Sequence, residues 1–349
     1  MSASLKGTHE CHFTHLFLDE AAQATEPECL IPLSVVVDPE PGSRKVEIAL
    51  VGDPRQLSPN VHSTTASQAG LSRSWMERLL QRPVKCLGGG HDHMLGPELV
   101  SMEEWVKYSL QGPGHEQLSV FLTLNYRGHP SFLMLPSALF YSDKLRSADH
   151  LIDNHSRNNA SWCEKLRWVE SLSEPVQLPS EDCSDGLPEL VGSVKQFNWP
   201  IHFRGVAGKD TVVSGEADFA SNSWSNEEEA NAVAEIIVTL VDRGVPTQSL
   251  GVMAPFRCQV MSIRNILRSK NLAGVNVGTI EDYQAVERDV IVLSLTRSTQ
   301  AFVSHDKECR MGVFGQPKRS NVALTRAEHL LIVVRQIIHT CFSNFFRLF

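Results

Sequence analysis

Leu16-Phe17-Leu18-Asp19-Glu20-Ala21-Ala22-Gln23 is the stretch from which the fold of this chain is read. A short apolar run ending on two adjacent carboxylates reads as a strand that delivers its charges to the end of a parallel sheet, where α/β proteins place their ligands. There Asp19 suits a Mg²⁺ ion held mostly through water, and Glu20 suits a water molecule that it polarises. Taken alone, an Asp-Glu pair ahead of a helix serves equally as a partner for the helix dipole. The catalytic reading requires a phosphate cradle of the form G-x-x-x-x-G-K-[ST], and no such string occurs in the 349 residues. The nearest, Gly205-Val206-Ala207-Gly208-Lys209-Asp210, has Asp after the lysine, lies far downstream, and reads as a loop.

Working outward, the alternation of short apolar runs with helical-period segments predicts an α/β chain with parallel sheets. Ile48 to Val51 is a second run with an acidic tip, Gly52-Asp53. Asn226 before Glu227, Glu228 and Glu229 predicts a helix start, with Ala230, Val233, Ile237 and either Leu240 or Val241 on its apolar stripe and Gly244 and Pro246 ending it. Further strands are expected at 250–253, 275–277, 290–295 and 330–334, with a helix near 259–269. Residues 86–117 read as a long connection and residues 171–194, rich in Ser, Pro, Glu and Asp, as a solvated excursion.

Length allows two or three domains. A hydrophobic fraction of 42% without a run long enough to span a bilayer predicts a soluble protein with no membrane contact. The net charge of −8 excludes a uniformly basic polyanion binder, so any nucleic acid must lie in a local channel. Eight cysteines without a C-x-x-C pair suit a reducing compartment. Cys11-His12 with His15, and His91 and His93 in their glycine-rich run, lack a second ligand pair at zinc spacing. Lys6, His9, Glu10 and His12 interrupt any leader-type apolar segment.

Four more strings carry chemistry. Gly52-Asp53-Pro54-Arg55-Gln56-Leu57-Ser58-Pro59 offers Gln56, whose amide can donate to a phosphate and accept from water, although a plain turn explains the same string. Leu124-Asn125-Tyr126-Arg127-Gly128-His129-Pro130 sets a fixed positive fork beside an aromatic plane. Gly278-Thr279-Ile280-Glu281-Asp282-Tyr283-Gln284-Ala285-Val286-Glu287-Arg288-Asp289 reads as a loop and strand with room for ribose and backbone contacts. In Asn321-Val322-Ala323-Leu324-Thr325-Arg326-Ala327, Arg326 is expected on a short helix before a buried strand.

In order and spacing these five strings resemble motifs II, III, IV, V and VI of the superfamily-1 helicases, and specifically the up-frameshift-like RNA helicases with the Asp-Glu-Ala-x-Gln form. His12-Phe13-Thr14-His15, Leu135-Pro136-Ser137-Ala138-Leu139-Phe140-Tyr141 and Pro317-Lys318-Arg319 narrow the likeness to the Armitage-type, silencing-associated members. It covers most of residues 12–334 and is weakest at 86–117 and 150–197.

The resemblance implies two RecA-like P-loop NTPase domains with parallel sheets, ATP between them and single-stranded RNA across their tops. The expected domains are residues 1–116, truncated ahead of motif II and poorly stable alone, and residues 117–345, with a loop-rich insertion near 150–197. The implied roles are Asp19 for Mg²⁺, Glu20 for water, Gln23 for the nucleotide and Gln56 for the γ-phosphate. Arg127 and Arg326 are the implied arginine fingers, Glu287 the ribose contact, and Tyr126 a neighbour of the base.

The implied activity is ATP-driven 5′ to 3′ movement on RNA in cytoplasmic silencing or decay, with ribonucleoprotein granules as location and Argonaute-type proteins as partners. With no phosphate cradle, this polypeptide is expected not to hydrolyse ATP by itself. Tyr283-Gln284-Ala285 departs from the family's Phe-Gln-Gly, and the residues after Val334 depart from its Gly-Asn, which reads as an altered or premature end. A non-catalytic RNA-binding scaffold and a DNA helicase are the rival readings.

Overall fold

The computed structural model describes residues 13–37, 46–80, 120–128, 130–148, 200–213, 223–299, 302–304, 306, 311–313 and 315–336. The expectations for residues 86–117 and 150–197, and for Cys11, His12, His91 and His93, lie outside them. The chain divides into two compact units, Met1–Leu122 and Thr123–Phe349.

In the first unit, β1 (His15–Leu18) and β2 (Glu47–Leu50) pair in parallel, with Leu18 opposite Leu50. Between them runs α1 (Glu26–Val36), started by a capping box in which the amide and hydroxyl of Thr25 both donate to Glu28, each at 2.7 Å. Two short helices follow, α2 (Thr64–Gln68) and α3 (Trp75–Leu80), and Arg78 of α3 donates to Glu26 of α1 at 2.8 Å. Phe17 is 71% exposed, and Ile48 and Val51 are also exposed, so β1 and β2 carry exposed apolar side chains, unlike the strands of a parallel sheet covered on both faces.

The second unit opens with a small parallel pair, β3 (Leu124–Asn125) and β4 (Arg146–Ser147), flanking α4 (Pro130–Phe140). Then come β5 (Ile201–Val206), the hairpin β6 (Thr211–Val213) and β7 (Ser223–Ser225), and α5 (Glu227–Asp242). The chain continues through β8 (Leu250–Ala254), α6 (Arg257–Ser269), β9 (Asn276–Thr279), β10 (Arg288–Ser294), α7 (Pro317–Leu324) and β11 (Ala327–Gln336). Five strands form one parallel sheet in the order β5-β11-β10-β8-β9.

Alternation explains why this sheet is buried on both faces. Val290, Val292, Leu330, Ile332 and Val334 pack with Ala230, Val233, Ile237 and Leu240 of α5 and Val260, Ile263 and Leu267 of α6. The intervening Ile291, Leu293, Leu331 and Val333 are equally buried and point the other way. Parallel strands covered on both sides read as continuous apolar runs, which is how β8, β10 and β11 are recognised in the sequence.

Two expectations need correction. Gly205 and Val206 end strand β5 instead of belonging to a loop; only 207–210 are irregular. Ile201-His202-Phe203-Arg204 mixes polar and apolar residues because β5 is the sheet's edge, and so it lacks the continuous apolar signature. The other correction concerns the end of β11. It runs past Val334 to Gln336, with Arg335 opposite Gly205 and Gln336 opposite Val206.

At the C-terminal ends of β8 and β10 the sheet carries a buried polar network. The Asn226 carboxamide caps α5 by accepting from the Glu229 amide at 3.1 Å. Gln259 accepts from the Asn226 amide at 2.7 Å and donates to Ser294 Oγ at 3.0 Å. Ser294 Oγ and the Thr296 amide both donate to one Glu229 carboxylate oxygen at 2.7 Å. Beside it, Arg297 is 1% exposed, paired with Asp306, 3.5 Å from Asp210, and lies over the Trp224 ring at 3.8 Å. The cluster's charges are paired and most of its hydrogen bonds are made inside the fold, while Glu229 Oε1 and Thr296 Oγ1 are buried without a hydrogen-bond partner among the described residues.

Burial raises Glu229 to about 7, against the lowering effect of its bonds to Ser294 and Thr296. The folded state therefore retains a proton that the unfolded chain, titrating near 4.5, gives up. Stability from this group is complete below about pH 4.5 and falls as pH rises through 7. Relative to Glu229→Gln, the wild type should lose up to about 3 kcal/mol across that window. Native-state hydrogen exchange of the β10 amides measures it.

Candidate functional site

The residues singled out in the sequence fall into two groups, one in each unit. In the first, β1 ends at Leu18, and Asp19 and Glu20 open the turn that follows. Asp19 Oδ1 accepts from the Glu20 amide at 2.9 Å, and the Asp19 side chain is otherwise directed to solvent, as a hard oxygen donor for a hydrated cation should be. Glu20 has φ of 51°, a left-handed conformation that costs a non-glycine residue about 1 kcal/mol or more and is concentrated at functional sites. Gln23 donates to Glu20 Oε2 at 2.7 Å and so orients the carboxylate.

The Gly52 turn is locked against this one. Val51 donates to Leu18 O and accepts from the Ala21 amide, each at 2.8 Å. A Cβ on Gly52 would fall 2.9 Å from Ala22 N, so only glycine permits the approach. Asp53 accepts from the Arg55 amide at 2.8 Å and from the Gln56 carboxamide at 3.1 Å, which fixes Gln56 within the same turn. Asp19, Glu20, Gln23 and Gln56 thus stand on two interlocked turns at neighbouring strand ends.

In the second unit, Arg127, Glu287 and Arg326 meet at the N-terminal ends of β10 and β11. Asn125 Oδ1 accepts from the amides of Arg127 and Gly128 at 2.9 and 3.1 Å, which shapes the bend before α4. Arg127 forms an ion pair with Glu287. Glu287 immediately precedes β10, whose Arg288 amide donates to Arg326 O at 3.2 Å. Arg326 is not on α7 as expected. The helix ends at Leu324, Thr325 caps it, and Arg326 is buried at the junction with β11, its guanidinium donating to Thr325 Oγ1 at 3.0 Å. Tyr126 is 63% exposed.

Sequence reasoning missed three residues of this edge. Arg288 pairs with Ala327 but Val290 with Leu330, so β11 carries one extra residue and Asp289 faces both Glu328 and His329. Their ligand atoms lie within 4.8 Å of one another, with His329 Nε2 3.5 Å from Asp289 Oδ1. Partial burial, then Glu287 and Asp289, raise the Glu328 carboxyl above its ordinary range. Only strand register exposes this grouping, since two adjacent strand residues are expected to face opposite ways.

The string Tyr283-Gln284-Ala285 forms the turn into β10. The Tyr283 hydroxyl accepts from Val252 N at 3.0 Å and donates to Asn276 O at 2.7 Å, stitching β8 to β9. Ala285 is exposed with φ of 57°, so the backbone keeps a glycine-type conformation although the residue is alanine.

An AAA domain family model matches residues 106–337, and a second AAA domain model matches residues 1–64. The human protein described as RNA helicase Mov10l1 is 33% identical over 338 residues, covering 94% of this chain and 22% of that protein. The Drosophila melanogaster protein described as probable RNA helicase armi is 28% identical over 345 residues, covering 95% and 25%. An Arabidopsis thaliana regulator of nonsense transcripts 1 homolog is 26% identical over 328 residues, covering 92% and 20%. The chain spans about a quarter of the length of these relatives.

Two substitutions test how the second group is built. Ala285→Gly should stabilise the unit by up to about 1 kcal/mol, because relief of the left-handed alanine outweighs the added chain entropy. Glu287→Gln should change stability by less than about 1 kcal/mol, because the pair with Arg127 is partly solvated. Urea unfolding of each variant against wild type checks both.

Proposed function

The chain belongs to the AAA domain family of up-frameshift-like superfamily-1 RNA helicases, and on that footing we propose that it carries the chemistry of ATP-driven 5′ to 3′ movement along single-stranded RNA. The observation that supports this best is the approach of Arg127, Glu287 and Arg326 to one another at the N-terminal ends of β10 and β11. RNA is favoured over DNA because the relatives are described as RNA helicases and as a regulator of nonsense transcripts.

The residues fit a nucleotide and its metal. Asp19 is an exposed carboxylate suited to Mg²⁺ through water, and Glu20, steadied by Gln23, is suited to orienting a water molecule. Gln56, anchored by Asp53, is suited to sensing a terminal phosphate. Bound ATP with Mg²⁺ would supply the phosphoanhydride and the charge that these groups address. Arg127 and Arg326 supply fixed positive charge, and one arginine finger is worth on the order of 10³ to 10⁵ in rate. Because Arg127 is paired with Glu287, both residues change partners when phosphate and ribose arrive.

The carboxylates belong to the first unit and the finger residues to the second. Taken by itself, the polypeptide binds ATP weakly, through the arginines and carboxylates already described, and does not hydrolyse it, because no lysine and backbone cradle of the G-x-x-x-x-G-K-[ST] type is present to align the triphosphate for attack. The setting is cytoplasmic RNA silencing or decay, including ribonucleoprotein granules, with Argonaute-type proteins as partners. Among the described residues no helix is long and apolar enough to cross a membrane.

The test combines binding and turnover on the purified chain. It should bind single-stranded RNA more tightly than DNA of the same sequence at one stated salt concentration, through contacts that include the 2′-OH. It should also release no phosphate from ATP, with or without RNA. Tighter binding of the DNA would favour the DNA reading. RNA-stimulated phosphate release that disappears in Glu20→Gln would overturn the claim that the chain alone is inactive.

A further inference from the structure

We propose that Tyr141 and Asn321 are positioning residues that set Arg127 and Arg326 in register with each other. The two arginines are carried by separate segments. Arg127 stands just before α4, and Tyr141 directly follows that helix. Asn321 is on α7, and Arg326 comes two residues after α7 ends. The helices pack together, burying Phe132, Leu133 and Pro136 on one and Val322, Ala323 and Leu324 on the other.

Apolar contact of this kind is non-directional and allows the helices to slide or rotate. The Asn321 side chain, fully buried, donates to the Tyr141 hydroxyl at 2.7 Å, and Tyr141 is only 5% exposed. A buried hydrogen bond within an apolar interface is directional, and breaking it strands a polar group, so it selects one register. The other end of α4 runs close to the same region, where a Cβ on Gly128 would stand 3.2 Å from Ala327 O, so the bend beside Arg127 passes tightly against the backbone that follows Arg326. The Tyr141 bond at one end and this close approach at the other leave α4 little room to carry Arg127 away from Arg326.

This inference deepens the nucleotide-site reading and rests on it for the roles of the arginines, but its test does not require turnover. Phenylglyoxal labelling of Arg127 is read by mass spectrometry against the exposed Arg268 in the same molecule. Tyr141→Phe keeps the ring and removes the hydroxyl. It should raise relative labelling of Arg127 by about fivefold, the population change that one lost hydrogen bond produces. Asn321→Ala breaks the same bond from the other helix and should do likewise.

Ile263→Val, a core truncation on α6, controls for loss of stability and should leave the ratio unchanged. Labelling in both bond-breaking variants no faster than in Ile263→Val would overturn the inference. A separate arm adds millimolar Mg²⁺-ATP to the wild type, which should slow Arg127 labelling. If it does not, while Tyr141→Phe still accelerates labelling, the nucleotide reading fails and the register bond stands.

Discussion

The parallel pairing of β10 with β11 is the constraint on which the rest of the second unit depends. Both strands are apolar on both faces, so they are stable only when helices cover each side, and α5 and α6 do this on one of them. Charged groups cannot enter the strand interiors without large cost, and they are therefore displaced to the two ends of the ladder. One end receives Glu287, Asp289, Arg326, Glu328 and His329. The other receives Glu229, Gln259 and the Arg297 clamp.

These two ends are built differently. At the C-terminal end the polar groups are buried and linked to one another by hydrogen bonds through Glu229, Gln259 and Ser294, which suits a rigid joint between strands and helix starts. At the N-terminal end Arg326 is buried, while the carboxylates are only partly buried and are crowded with like charge, since Glu328 feels both Glu287 and Asp289. Crowded carboxylates of that kind gain from an added cation. The first unit shows the complementary property: its carboxylates occupy a strained turn, with Glu20 left-handed, tied down by the tight passage of Gly52.

Much of this was legible in the sequence for identifiable reasons. Continuous apolar runs located β8, β10 and β11, and Asn226 with three following glutamates located the start of α5, because burial on both faces and helix capping leave local signatures. The edge strand β5 was not legible, since half-exposed Ile201-His202-Phe203-Arg204 has no such signature. Arg326 was placed on the helix when it belongs to the junction beyond, because helix ends are decided by capping geometry that a short motif does not specify. The grouping of Asp289, Glu328 and His329 arises from a bulge in strand register. The Tyr141 to Asn321 bond joins residues 180 positions apart. Neither is visible from spacing along the chain.

The proposed nucleotide-facing region of the second unit is the N-terminal ends of β10 and β11 with the bend before α4. Hydrogen exchange of the intact chain with and without saturating Mg²⁺-ATP tests this most directly. The account predicts slowed exchange at the amides of Arg127, Gly128, Glu287, Arg288 and Arg326. Slowing confined to the opposite strand ends, at Leu295 to Ser298, with those five amides unchanged, would contradict it.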